Sequence, residues 1–457
     1  MAGIGFELRK LLAKDSLTGL MQAYAYAGII SSGPWVLSIL GILIIGFISV
    51  SVVTPEFLIN QFQVTVTYLM ALSLILTGLV QLAFTRFIAD RIYEKRDDEV
   101  LPNFNGILLV VTLVSGLIGT LTVVISFRDQ SILYRLLLVS GFVILSNLWI
   151  ATIMLSGLKQ YKQIVGLYVL GYAISVGAAL ALRPFGLEGL LLGFVLGQLV
   201  MLMGMIVMVT RAYPGRQFIA FDFARRGRMF TTLIAVGFLY NLGVWADKFL
   251  FWFYPYTSQP VIGPFRASLI YDLPVFLAYL SIIPGMAVFL TRMETDFVEY
   301  HERFYEAVRD GGSLNHIEEM RDEMVFTIRQ GIFEIIKIQA IATLIIFVAG
   351  PALLRWLGIS ELYLSLLYID VVAAGLQVVF LGILNVFFYL DKRRIVLVLN
   401  ALFVGLNITF TYVTLQLGAP FYGYGFALAL LFTVMVGFYL LDYKLDRLEY
   451  ETFMLQR

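Results

Sequence analysis

Four ionisable residues interrupt otherwise apolar runs: Asp247 and Lys248 in one run, Asp272 in the next, and Asp370 further along. Inside a bilayer each such group costs about 2.5–3.5 kcal/mol or more, so each marks a transport path, a proton or ion relay, or a buried ion pair. At a rise of about 1.5 Å per residue, all four lie about 10 Å below the same membrane face. A lone ammonium at that depth would be expensive. Lys248 is therefore expected within about 4 Å of a carboxylate, with Asp272 the first choice and Asp247 or Asp370 the alternatives. Asp370 and Asp272 could also bind a coupling proton or sodium ion.

Other candidates are neutral or sit at the ends of runs. Trp35 and Trp245 each close a Gly-x-Trp triplet, and Asn241, Gln377 and Asn385 carry side-chain amides. Interfacial packing and interhelical hydrogen bonds explain these as readily as ligand contacts do. Arg86, Arg292, Glu334 and Lys337 stand where runs meet polar segments, and Glu334 and Lys337 have the spacing of an i,i+3 pair. Pro34, Pro274 and Pro284 fall inside runs and mark possible kinks.

Composition removes several chemistries. With no cysteine and two histidines, His301 and His316, thiolate and haem sites are excluded or very poorly supplied. No GxxxxGK[ST] phosphate loop and no D-x-D pair occurs, so neither nucleotide hydrolysis by that route nor glycosyl transfer is expected, and no cofactor is implied. The chain reads as a non-enzyme. Hydrophobic residues make up 60% and charged residues 14%, against about 45–50% and 25% in soluble domains. Only lipid can solvate so apolar a surface.

A spanning helix needs about 20 apolar residues. Twelve stretches qualify: 27–52, 62–86, 104–126, 132–156, 163–183, 187–210, 229–254, 267–291, 332–356, 362–389, 395–417 and 421–442. The expected fold is an all-α integral membrane protein. With the N-terminus inside, about 25 lysines and arginines fall in inside segments and about 5 in outside loops, a bias that puts both termini in the cytoplasm. Residues 1–26 read as an amphipathic cytoplasmic segment, 27–211 as an N-lobe, 212–228 as a linker, 229–443 as a C-lobe and 444–457 as a tail. The one long connection, 292–331, reads as a helical cytoplasmic insertion split at Gly311-Gly312.

Three collinear matches relate the halves. Gly33-Pro34-Trp35 pairs with Gly243-Val244-Trp245, Thr85-Arg86 and Asp90 with Thr291-Arg292 and Asp296, and Pro184-Phe185 and Gly189 with Pro420-Phe421 and Gly425. Each match is weak alone. Together they indicate a duplicated six-helix unit with both copies in one orientation, as secondary transporters use.

The N-terminal MAGIGFELRK, followed by GIISSGPWVLSILGIL, resembles the PelG family of exopolysaccharide transporters. That family falls in the multidrug/oligosaccharidyl-lipid/polysaccharide (MOP) exporters, with two six-helix lobes around a central cavity. The resemblance implies export of a hexosamine-rich polymer across the bacterial inner membrane. It also implies a cytosolic glycosyltransferase and other Pel membrane subunits as partners. Of the residues singled out above, Trp35, Asn241, Trp245, Asp247, Lys248, Asp272, Asp370 and Asn385 are substrate-path candidates, and Arg86, Arg292, Glu334 and Lys337 are cytoplasmic-entrance candidates. The alternatives are a cation-coupled drug exporter of the same fold and a lipid-linked oligosaccharide flippase.

Overall fold

The computed structural model describes residues 57–156, 161–215, 217–225 and 229–454, together with 22, 24, 27, 28, 38–46, 48 and 55. Trp35, Gly33, Pro34 and most of the 1–26 segment lie outside the described residues. The chain forms two compact units, residues 33–269 and residues 1–32 with 270–457.

In the first unit the helices are α1 (Phe57–Tyr93), α2 (Val100–Ser126), α3 (Ile132–Ser156), α4 (Tyr161–Leu182), α5 (Gly186–Ala212) and α6 (Thr231–Phe253). Their sequences are apolar on most faces, which suits a helix with lipid on one side and other helices on the rest. The acidic turn Asp97–Glu99 precedes α2, where negative charge complements the helix N-terminus.

Small residues set the closest approaches. A Cβ on Gly193 would lie 2.2 Å from the Ala179 backbone nitrogen, and one on Gly197 would lie 2.5 Å from the Gly171 carbonyl oxygen. Positions fall on α4 as they rise on α5, so the pair is an antiparallel hairpin and the 50-residue apolar stretch Gln163–Ala212 makes two crossings. Gly78 of α1 and Gly237 of α6 meet in the same way, each Cβ position lying within 2.7 Å of the other's carbonyl oxygen. Without a hydrophobic force between helices in lipid, such backbone proximity supplies the attraction.

The connection after α6 is more than the short outer loop expected from sequence. It forms a two-stranded antiparallel hairpin, β1 (Gln259–Ile262) and β2 (Phe265–Ala267), with Gln259 opposite Ala267. Side chains hold its edges: Gln61 donates to the Val261 carbonyl at 3.1 Å and the Tyr68 hydroxyl to the Arg266 carbonyl at 2.9 Å. Phe265 stacks on Tyr68 at 4.2 Å and Tyr68 on Trp252 at 4.6 Å.

The second unit holds α7 (Leu269–Leu280), α8 (Ile283–Thr291), a π-helical turn (Arg292–Asp296), α9 (Phe297–Arg309), α10 (Leu314–Trp356), α11 (Leu364–Tyr389), α12 (Arg393–Leu417), α13 (Tyr424–Leu445) and α14 (Leu448–Met454). The run 267–291, read from sequence as one helix, is broken, with α7 and the helix starting at Ile283 bent by 41°. Pro284 lacks the N–H that would continue α7, and Gln339 of α10 donates to the buried Ser281 carbonyl at 3.0 Å. Gly285 and Gly375 make room for that amide, since a Cβ at either would lie within 2.7 Å of the Gln339 side chain. Pro274, by contrast, sits inside α7 without breaking it.

Among the described residues nine helical stretches are long and apolar enough to span a membrane, Gln163–Ala212 being counted once although it crosses twice, or ten with the bent pair taken as a further span. The segment 292–331 is the π turn, α9, a turn with Gly311 at φ +71°, and the start of α10. Its flank is bound to α14. Arg321 pairs with Glu449 at 2.8 Å, and Glu451 takes both Lys392 at 2.5 Å and Lys444. Burial alone would push the Glu451 carboxyl up, but the two ammonium groups outweigh it and hold it below the usual carboxylate range.

Two predictions follow from this packing. Gly193→Leu should destabilise the detergent-solubilised protein by about 1–3 kcal/mol or more through overpacking, lowering its melting temperature. Gly166→Ala, with nothing within 4 Å of the added Cβ, should be neutral. Because the Glu451 carboxyl is depressed, its contribution is present above the ordinary carboxylate range and lost as pH falls through the lowered value. Protection factors at 448–454, taken relative to the intrinsic exchange rate at each pH, should fall on acidification in the wild type and be low and independent of pH in Glu451→Gln.

Candidate functional site

The charged residues inside α6 pair with each other. Lys248 Nζ lies 3.0 Å from Asp247 Oδ2 and 3.3 Å from Oδ1, and donates to the Val244 carbonyl at 3.0 Å. Both side chains are buried. Of the three carboxylates open to Lys248 from sequence, the structure gives Asp247 as an ion pair. Adjacent helical residues do not normally face each other. The long lysine stem makes the contact by folding back along the helix toward Val244. Trp245 is buried one helical face away, 6.2 Å from the Trp252 ring. Asn241 turns inward, its amide donating to the Gly237 carbonyl at 2.9 Å beside the crossing with Gly78.

In the second unit Asp272 is half-buried in the first turn of α7, where a carboxylate suits the helix dipole. Asp370 is buried on α11 against the start of α13, and a Cβ on Gly423 would lie 3.1 Å from its Oδ1. The N-terminal N–H groups of α13 favour an anion there.

The residues at the ends of runs differ from the sequence reading in one respect. Glu334 is not paired with Lys337. Arg292 takes it through two bonds, Nε at 2.6 Å and the terminal nitrogen at 3.2 Å, and also holds Asp296 at 2.6 Å. A planar guanidinium suits two acceptors at once, which a flexible ammonium one turn away cannot match. Lys337 instead stands 5.7 Å over the Phe333 ring. Arg86 is half-exposed and pairs with Asp90 at 3.1 Å. The two Thr-Arg-x-x-x-Asp copies are thus built alike. In each, the arginine pairs with the aspartate one turn on, and the threonine hydroxyl donates to the carbonyl four residues back, at 2.8 Å for Thr85 and 2.9 Å for Thr291.

Each unit also has a polar seam. In the first it joins α1 to α3: Thr65 to the Tyr134 hydroxyl at 3.0 Å, and Trp149 Nε1 to Ser73 at 2.9 Å, with Thr77 and Gln81 bonded to each other one and two turns on. In the second it joins α7 and the π turn to α11. Tyr279 donates to Gln377 at 3.1 Å, and Glu294 accepts from Asn385 and Tyr389, each at 2.9 Å. The sequence reading named Asn385 and Gln377 but missed Glu294 and the α1 seam. The four-residue spacing of Ser73, Thr77, Gln81 and Thr85 was the available signal for the latter.

The ion pair is testable by a double-variant cycle. Lys248→Met strands Asp247 in the interior and should cost about 3–5 kcal/mol. Adding Asp247→Asn should cost much less than its effect alone. Melting temperatures in detergent measure both, and strict additivity would show that the contact carries no coupling.

This architecture recurs among solved transporters. A multidrug resistance MATE transporter of the MOP superfamily, in an outward-facing conformation, superposes with a TM-score of 0.67 at 16% identity, covering 93% of this chain and 96% of that one. A MOP superfamily transporter from Pyrococcus furiosus, whose binding pocket is described as reversed in polarity, gives 0.65 at 17% identity with the same coverage. A MATE in the bent conformation gives 0.64 at 16% identity over 97% of this chain and 96% of that one. No individually curated protein matches the sequence. The fold is the all-α, multi-pass membrane fold of these transporters. The chain belongs to the PelG exopolysaccharide exporter family, whose sequence pattern it matches over residues 1–453.

Proposed function

We propose that this transporter exports a Pel-type, hexosamine-rich polysaccharide across the bacterial cytoplasmic membrane, receiving polymer from a cytosolic glycosyltransferase and working with other Pel inner-membrane subunits. The observation that carries this reading is membership of the PelG family over nearly the whole chain. A fold shared with MOP transporters supports it. On this reading both termini are cytoplasmic and the two lobes are residues 27–211 and 229–443. Trp35, Asn241, Trp245, Asp247, Lys248, Asp272, Asp370 and Asn385 lie along the substrate path, and Arg86, Arg292, Glu334 and Lys337 lie at the entrance. Amides and aromatic faces suit the hydroxyls and rings of sugars. A cation-coupled small-molecule exporter and a lipid-linked oligosaccharide flippase are the rivals.

Deleting the gene in a polymer-producing host should abolish surface polymer while leaving synthesis of the sugar precursor intact. Complementation with Trp245→Phe, which keeps an aromatic ring in the buried site, should restore protein abundance but not full export. A deletion strain that still secretes polymer, or that loses only drug resistance, contradicts the proposal. The chain's lack of cysteine makes the orientation directly testable. A cysteine at the exposed position 256 should react with an impermeant reagent from outside, and labelling only from the cytosol would invert the topology.

A further inference from the structure

Glu294 is the third residue of the π turn and is 4% exposed. Short π-helical turns inside α-helices recur at functional sites. Each of its carboxylate oxygens accepts one neutral hydrogen bond, Oε1 from Asn385 Nδ2 and Oε2 from the Tyr389 hydroxyl, both at 2.9 Å. The arginine two residues earlier does not serve it, because Arg292 is committed to Glu334 and Asp296. Among the described residues, the charged and titratable side chains nearest it are engaged elsewhere. From α9, His301 Nε2 lies 3.2 Å from the Tyr389 carbonyl oxygen. From the α11–α12 junction, Asp391 pairs with Arg393 at 3.0 Å and Lys392 with Glu451. Among the described residues no lysine, arginine or histidine forms an ion pair with Glu294.

A buried carboxylate whose described hydrogen-bond partners are two neutral donors is costly, and burial, the largest influence on the Glu294 carboxyl, pushes it up toward the neutral acid. The partners are of a kind that tolerates both states. An amide carries a donor and an acceptor side by side, and a phenol both donates and accepts, whereas a backbone N–H or a guanidinium could only donate. Asn385 is itself more than nine-tenths buried, and its Oδ1 has no hydrogen-bond partner among the described residues. A half-turn of the amide would bring that oxygen to face a carboxylic O–H.

We propose that Glu294, Asn385 and Tyr389 form a proton-binding site in the second unit, and that its occupancy controls the transport cycle. The proton adds to a Glu294 carboxylate oxygen from water, making a neutral acid that donates within the cluster, and leaves by the reverse step. The first part stands on the geometry alone. The second rests on the export reading.

Infrared difference spectra of the purified full-length protein, taken between acidic and neutral pH, test the site without any transport assay. The wild type should show a carboxylic C=O band that titrates with pH and is absent in Glu294→Gln. Tyr389→Phe and Asn385→Leu should shift its frequency or midpoint without removing it. A band that persists in Glu294→Gln, or no titrating band at all, overturns the site. If Glu294→Gln does not fold, an unshifted band in Tyr389→Phe does the same. Replacing potassium by sodium should leave the band unchanged, and its loss in sodium would assign the site to a metal cation instead. In cells, export by the wild type should change with cytosolic pH and export by Glu294→Gln should not. A titrating band with pH-insensitive export removes the control of transport and leaves the site. A wild type that exports no polymer removes the export reading and leaves the spectroscopy untouched.

Discussion

Hydrocarbon supplies no hydrogen-bond partner, so every N–H and C=O at bilayer depth must be satisfied within the protein. Continuous helices meet that demand along their length, and the departures from helix show what else is needed. At residues 281–282 the spanning run is interrupted, and the freed Ser281 carbonyl is met by a side-chain amide threaded in from α10. The cost of that amide appears elsewhere in the sequence, as glycine at 285 and 375 where any side chain would collide with it. After α6 the strand edges are met by Gln61 and Tyr68 reaching across from α1. One requirement therefore selects residues on three or four helices at once.

Charge obeys the same requirement at higher stakes. Lys248 is buried with Asp247 directly beside it, so the pair carries no net charge through the apolar interior. Asp370 is buried beside the start of α13, where the helix N-terminus favours an anion. Arg292 holds two carboxylates, and Glu451 holds two lysines. Glu294 departs from this pattern, its described hydrogen-bond partners being an amide and a phenol.

Much of this architecture was legible in the sequence because hydropathy reads out the solvent directly. The run 132–156 coincides with α3, and most other boundaries fall within a few residues of the helices described. What was not legible depended on contacts between segments. Pro274 and Pro284 look alike in sequence, yet only the latter coincides with a break, and nothing local announces that Gln339 is in place to support it. The i,i+3 spacing of Glu334 and Lys337 suggested a pair, but an arginine 42 residues away made the better bidentate partner. Glu294 was hidden for a different reason. It falls just beyond the last apolar residue of its run, where a carboxylate is expected to face water, and only the packing of α11 over the π turn buries it.

The internal repeat gains its meaning at the level of bonds. Weak three-residue matches become stronger when both copies of Thr-Arg-x-x-x-Asp make the same back-bond and the same ion pair. The Pro-Phe copies likewise occupy equivalent one-turn 3-10 helices, Arg183–Phe185 and Ala419–Phe421, between the last two long helices of each half. Against that shared frame the differences stand out. Both units tie the second helix of a half to the fourth through side-chain hydrogen bonds, but the seam in the first is built of hydroxyls, an indole and a carboxamide, while the seam in the second includes a carboxylate. Duplication alone would leave two equivalent seams. Retaining a costly acid in one of them, beside amide and phenol groups able to serve it charged or neutral, is the asymmetry expected if the two halves divide structural support from proton binding.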